Sequence, residues 1–259
     1  MRKTLYLLVV LAIIVSCKDK TAETKPETEP VIEEEIDEVI KQYPENISKI
    51  FDAHGGISIW NDMETLEFSV EKPDGYEITT TDLKDRFVFI EMPKTTMGYD
   101  GEVIWIKNKD NSVFDDNPET YYKKMFHFYA MPFLLADEGT TYTEAVPLNF
   151  EGKTYPGIQV TFKNGVENTV YYDANSHQMA WLAYKEAGAD KNTEWQFINY
   201  SNWQEVEDLS VPETMVWYKV ENNKPTVPDH EVQFVSPMLT TTKMDIRVYW
   251  RPEGGEVVL

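Results

Sequence analysis

Histidine is the side chain whose ordinary pKa suits proton transfer near neutrality, and this 259-residue chain carries four: His54, His127, His177 and His230. The first lies in Phe51-Asp52-Ala53-His54-Gly55-Gly56. A His-Gly-Gly run can present backbone N–H groups of the kind that line an oxyanion hole. Acyl transfer at such a hole needs a Gly-x-Ser-x-Gly elbow, because only small flanking residues allow its strained strand-to-helix turn. No serine sits in that setting: Ser176 lies in DANSHQ and Ser210 in DLSVPE. The two glycines follow an apolar helical stripe, and they read as a C-cap, where Gly takes positive φ without steric cost.

Other chemistries find equally little. The histidines form no His-x-x-x-His pair, so no zinc-type site is assigned. The oxygen-rich stretch from Asp110 to Glu119 lacks the glycine of an EF-hand loop and reads as an acidic turn. Gly254-Gly255 lies in the C-terminal tail, and no Gly-rich phosphate loop is present. Carboxylate pairs for glycosidase work cannot be picked from 45 acidic residues. The sequence therefore assigns no catalytic residue, metal or cofactor, and the expected role is non-catalytic. A hydrolase using His54 or scattered carboxylates stays open.

One residue does carry a specific chemistry. Arg2 and Lys3 precede an apolar run from Leu5 to Val15, eleven residues long. A membrane-spanning helix needs about 20, so this run predicts a signal peptide over residues 1–16. It ends in Ile14-Val15-Ser16-Cys17, and Cys17 is the only cysteine, which excludes an intramolecular disulfide. That order resembles the bacterial lipobox, which implies acylation of Cys17. Several acyl chains give a stable membrane anchor where one does not. Lys18 rather than aspartate follows the cysteine, and the resemblance then implies the outer membrane, with either a periplasmic or a surface-exposed body. Loss of Arg2 and Lys3 with residues 1–16 moves the formal charge from −21 to −23. Nucleic acid and anionic lipid headgroups are poor partners for such a chain.

The elements that must position any site follow from texture. KDKTAETKPETEPVIEEE buries too little to offset its ordering entropy, so residues 17–35 are expected to form a disordered tether. Residues 36–259 suit a single domain. Ile36, Val39, Ile40 and Tyr43 have helical spacing; Pro44 interrupts, and Ile47, Ile50 and Phe51 continue the stripe. Alternation then takes over, with Leu66, Phe68 and Val70 facing one way and Glu67, Ser69 and Glu71 the other. Strands are expected again at 76–80, 87–92, 103–106, 158–162, 170–172, 179–184, 195–200, 215–220, 232–235 and 244–250, with turn signals such as Asp100-Gly101 and Asn164-Gly165 between them. Many short strands imply a curved antiparallel sheet.

The aromatic segment from Tyr121 to Leu135 breaks this texture. Asn117 and Pro118 suit an N-cap and N1, Tyr122, Met125, Phe126 and Tyr129 recur at helical spacing, and Pro132 should end the element. It is expected either as a core helix on the sheet or as a lid over an apolar cavity. The sequence of helix, Gly55-Gly56, Trp60, strand, and later Tyr99-Asp100-Gly101-Glu102-Val103-Ile104-Trp105-Ile106 resembles the LolA/LolB-like lipoprotein carriers and receptors. The likeness spans about residues 36–250, continuing through Gly157–Phe162, Asn168–Asp173 and the step from Trp203 to Pro212. The helix-HGG-Trp start and FYAMPFLLADEG are also similar to lipid-anchored proteins of Bacteroidota. The resemblance implies an α+β, mainly β fold: an open half-barrel with an N-terminal helix and a central plug helix. It also implies a concavity for an apolar or acylated ligand. The chosen lining is Trp105 on a central strand with Phe126, Tyr129 and Phe133 on the lid. A monomer is expected, and a solid-cored lipoprotein binding protein or glycan remains the alternative.

Overall fold

In a computed structural model that describes residues 42–110, 112–185 and 193–258, the chain takes up a helix where the apolar spacing asks for one. Cys17, the expected signal peptide and tether, and the stripe from Ile36 to Ile40 lie outside those residues. Helix α1 (Glu45–Asp52) buries Ile47, Ile50 and Phe51 at helical spacing, directly after Pro44. It closes as a C-cap: the Gly56 N–H donates to the Phe51 carbonyl at 2.9 Å, with φ near +98° at Gly55 and +100° at Gly56. A Cβ on Gly55 would sit 2.1 Å from the Asp208 carbonyl oxygen, so only glycine fits. A six-residue helix, α2 (Ile57–Asp62), follows immediately. It is too short for periodicity to announce.

Five strands come next: β1 (Thr65–Lys72), β2 (Gly75–Asp82), β3 (Val88–Glu91), β4 (Thr95–Tyr99) and β5 (Ile104–Asn108). Helix α3 (Pro118–Tyr129) begins as its sequence requires, the Asn117 Oδ1 accepting from the Glu119 N–H at 2.8 Å. A 3₁₀ turn at Phe133–Ala136 completes the aromatic segment after Pro132. Seven long or medium strands follow: β6 (Thr141–Phe150), β7 (Lys153–Thr161), β8 (Glu167–Tyr172), β9 (Met179–Tyr184), β10 (Gln196–Val206), β11 (Leu209–Glu221) and β12 (Lys224–Thr240). The two-residue β13 (Glu256–Val257) adds to β5.

All the pairings are antiparallel and make one sheet in the order β13-β5-β4-β3-β2-β1-β12-β11-β10-β9-β8-β7-β6. Strand β1 pairs with β12, Thr65 opposite Thr240, and this ladder joins a six-strand arm, β13 included, to a seven-strand arm. Strands β13 and β6 do not meet, so the sheet is open rather than closed into a barrel. The fold is the expected curved, mainly β one. Residues 42–259 form one contact unit.

The core lies where helices meet the inner face. Leu66, Phe68 and Val70 of β1, Ile198 and Tyr200 of β10, and Phe234 of β12 pack there against α1, α2 and the aromatic segment. Trp60 stacks on Phe133 at 4.6 Å, and Phe68 on Tyr129 at 4.3 Å. The outer face of the larger arm carries its own cluster, Trp181, Ala183 and Phe197 beneath Leu148 and Phe150. Both faces of this arm are therefore apolar.

Three elements depart from expectation. Strand β4 was not foreseen, because Thr95-Thr96-Met97-Gly98-Tyr99 offers little alternation. Strand β6 was hidden by Pro147 and by the irregularity between Ala145 and Leu148, which interrupts the period of two. The strand expected over 244–250 is a 3₁₀ turn at Ile246–Val248, where the Asp245 Oδ1 accepts from the Arg247 N–H at 3.0 Å and caps the turn.

Candidate functional site: a cavity between helix α3 and the two sheet arms

Helix α3 lies on the inner face and is tied to both arms. On the smaller arm, the Tyr121 hydroxyl donates to the Glu77 Oε2 at 2.5 Å, and Lys72 stands 3.6 Å from the same carboxylate. Glu77 is 3% exposed, so this pairing is what makes its burial tolerable. Burial, followed by the negative field of Glu77, drives the Tyr121 hydroxyl far above its ordinary pKa and keeps it a donor. On the larger arm, the Tyr200 hydroxyl donates to the Phe128 carbonyl at 2.8 Å, and the Asn168 Nδ2 donates to the His127 Nε2 at 2.7 Å. The Tyr142 hydroxyl meets the Leu135 carbonyl. Burial alone lowers the His127 pKa to about 4.

Between these anchors is a cavity of about 510 Å³. Val88 and Tyr99 come from the smaller arm; Phe126, Phe128 and Leu134 come from the aromatic segment; Phe162 comes from the end of the larger arm's β7 hairpin. The Phe162 ring lies edge-on to His127 at 5.3 Å. The volume falls within the roughly 300–1,000 Å³ typical of small-molecule sites. Polar groups are concentrated at Thr81, Arg86 and a set of lysines, Lys123, Lys124, Lys163 and Lys185.

Arg86 sits in the β2–β3 turn at φ +60°, a turn organised by Asp82, whose Oδ1 accepts from the N–H groups of Lys84 and Asp85. Its Nη2 donates to the Asp137 Oδ1 at 2.7 Å, joining the turn to the chain just after the 3₁₀ segment. Its guanidinium lies 5.1 Å from the centre of the Phe126 ring.

The residues chosen from the sequence part company here. Phe126 lines the cavity. Tyr129 and Phe133 are buried in the core beside it, against Phe68 and Trp60. Trp105 takes no part in the cavity: it is wholly buried on the other face of its strand, its Nε1 donating to the Tyr249 carbonyl at 2.9 Å, and Gly98 opposite leaves room for its ring. Alternation explains the difference, since Ile106, not Trp105, shares the inner face with Met97, Val88 and Ile90. Thr81, Arg86, Phe128, Leu134 and Phe162 were missed. Phe128 and Leu134 belong to the aromatic segment already singled out, whereas Thr81, Arg86 and Phe162 lie far from it in sequence and reach the cavity only through the folding of the sheet.

His54 is spent on structure. Its Nδ1 donates to the Ile50 carbonyl at 2.7 Å, and its Nε2 accepts from the Met179 N–H at 3.4 Å. Desolvation lowers its pKa to about 4 despite the Ile50 bond. The ring thus joins the end of α1 to the start of β9, and neither nitrogen faces a substrate. Among the described residues no three His, Cys, Asp or Glu side chains converge as metal ligands, and no helix is long and apolar enough to cross a membrane.

No family model matches the chain, and no curated protein sequence does. Solved structures do. A LolA superfamily protein of Nitrosomonas europaea covers 75% of this chain and 96% of its own, at 8% identity and a TM-score of 0.42. A DUF1329 family protein of Desulfovibrio piger covers 75% and 93%, at 10% identity and 0.45. An outer membrane lipoprotein-sorting protein domain of Vibrio parahaemolyticus covers 74% and 95%, at 11% identity and 0.32. The LolA-like resemblance seen in the sequence is thus met again in structures, while the likeness to Bacteroidota lipoproteins stays an expectation. At these scores the likeness carries nothing about function.

Proposed function

We propose that this protein binds an apolar or acylated molecule in the cavity beneath α3 and does not transform it. We further propose that acyl chains on Cys17 hold it at the outer membrane, with residues 17–35 as a tether and the folded body as a monomer. The observation that carries the binding reading is the cavity itself: about 510 Å³, walled by Val88, Tyr99, Phe126, Phe128, Leu134 and Phe162. Apolar walls with a few placed polar groups suit an amphiphile, because removing a chain from water supplies the free energy and the polar groups orient it. The absence of a nucleophile elbow and the structural use of His54 favour binding over turnover.

A photo-crosslinking residue in place of Val166 tests this. Val166 lines the cavity yet is 41% exposed, so substitution there is tolerable. Irradiation of cells making the full-length protein should give an adduct whose mass includes an acyl chain. The same residue at Val146, exposed and outside the cavity, should give none. Adducts only with protein or glycan at Val166 would replace this reading with that of an interaction lipoprotein.

A further inference from the structure

The cavity reverses the charge balance of the chain. Acidic residues outnumber Lys and Arg by 45 to 24 over the whole sequence, yet the lining holds five cations and two carboxylates. Both carboxylates already face cations of the same lining: Asp137 takes the Arg86 Nη2 at 2.7 Å, and Glu138 lies 3.5 Å from the Lys163 Nζ. The charged groups of the cavity therefore leave an excess of cations.

Two polar atoms sharpen this. The Arg86 Nη1 is buried without a hydrogen-bond partner among the described residues, although Nη2 of the same guanidinium is paired. Arginine cannot shed its proton, so the unpaired N–H is a standing cost that an acceptor would remove. The Thr81 Oγ1, on a fully buried side chain of the same lining, is likewise unpartnered. A purely hydrocarbon ligand would leave both unpaired, and an amine would add a like charge to the lysines. A planar or tetrahedral anion meets an arginine N–H and a hydroxyl together.

We infer that the ligand is an amphiphile with a compact anionic head, a carboxylate or a phosphate monoester, received by Arg86 and Thr81 while its chain lies against the apolar walls. This rests on the cavity reading above and adds the head to it.

The test uses membranes holding the full-length protein and three probes with a diazirine in the same alkyl chain: hexadecanoic acid, hexadecyl phosphate and hexadecanol. The two anions should label peptides from residues 81–88 or 118–138 at roughly tenfold lower concentration than the alcohol, a difference suited to a charge-assisted bond. Whichever anion labels at the lower concentration identifies the head. Arg86→Gln should raise the anions to the alcohol's concentration and leave the alcohol unmoved. Lys123→Gln, on an exposed side chain of the rim, should weaken the anions in part without risk to the core. Equal labelling by acid, phosphate and alcohol in the unaltered protein would overturn the anionic head while leaving the apolar cavity standing. Failure of all three to label would remove the cavity reading, and this inference with it.

Discussion

His54 shows how a residue with catalytic potential is put to another use. Its folded pKa of about 4 lies below the ordinary 6.5, because burial penalises the cation. Between those values the unfolded chain binds a proton that the folded chain refuses. Its contribution to stability is thus complete above pH 6.5 and falls as the pH drops toward 4. Denaturant unfolding at pH 7.5 and pH 5 should show a loss from this ring of about 2 kcal/mol. In His54→Gln the protein should be less stable at pH 7.5, and its further loss on acidification should shrink; an unchanged pH dependence would show that the ring does not titrate as described. The helix-capping role of FDAHGG was legible in the sequence because it rests on local backbone chemistry, two glycines after an apolar stripe. Arg86 was not legible. Its meaning depends on Asp137, 51 positions away, and on a neighbour of Phe126, and LKDRF alone says neither.

At the scale of elements, the aromatic segment has two jobs, and both its helix and its 3₁₀ turn share in each. The C-terminal half of α3 carries Phe126 and Phe128 to the cavity wall and Tyr129 into the core, and the 3₁₀ turn does the same with Leu134 and Phe133. Phe133 is 1% exposed and stacked on Trp60, itself on α2. Truncation there leaves a hole among groups fixed by three helices, so Phe133→Ala should cost about 3–5 kcal/mol in unfolding free energy. A cost under about 1 kcal/mol would mean that the turn repacks freely. The sequence left core helix and lid as alternatives; the segment packs in the core and also borders the cavity, since 3.6-residue spacing identifies a face but not what lies under it. The strands were easier. In the larger arm β9 was placed whole and β7, β8, β10, β11 and β12 only in part, their irregular registers hiding the remainder, whereas β6, with its proline, was not seen. Trp105 was assigned to the wrong face for a related reason: its strand is buried on both sides, so apolar character gives no direction.

For the whole molecule, the question is how an acidic protein would meet an anionic amphiphile. A formal charge of −21 repels anions at long range, but screening confines that repulsion to about 10 Å at moderate salt. Delivery from an adjoining membrane would avoid most of the approach, and the anchor proposed at Cys17 would serve that purpose. Cys17→Ser should move the protein from the membrane to the soluble fraction on fractionation; unchanged membrane association would refute the anchor. The same variant should label poorly with membrane-dissolved probes while retaining its response to probes presented in solution.

The ladder between β1 and β12 has a consequence for how the chain must be made. Thr65 faces Thr240 across it, so the first strand cannot find one of its two neighbours until nearly all of the chain has been synthesised. Until then β1 keeps the backbone groups of one edge unpaired, and its inner face, with Leu66, Phe68 and Val70, lacks the cover that the larger arm later brings. Pairing across so long a loop is slow to form, because its closure entropy must be met before any contact rewards it. The early arm is therefore a nascent adhesive surface, and whatever escorts this protein before its last long strand arrives has a defined patch to hold.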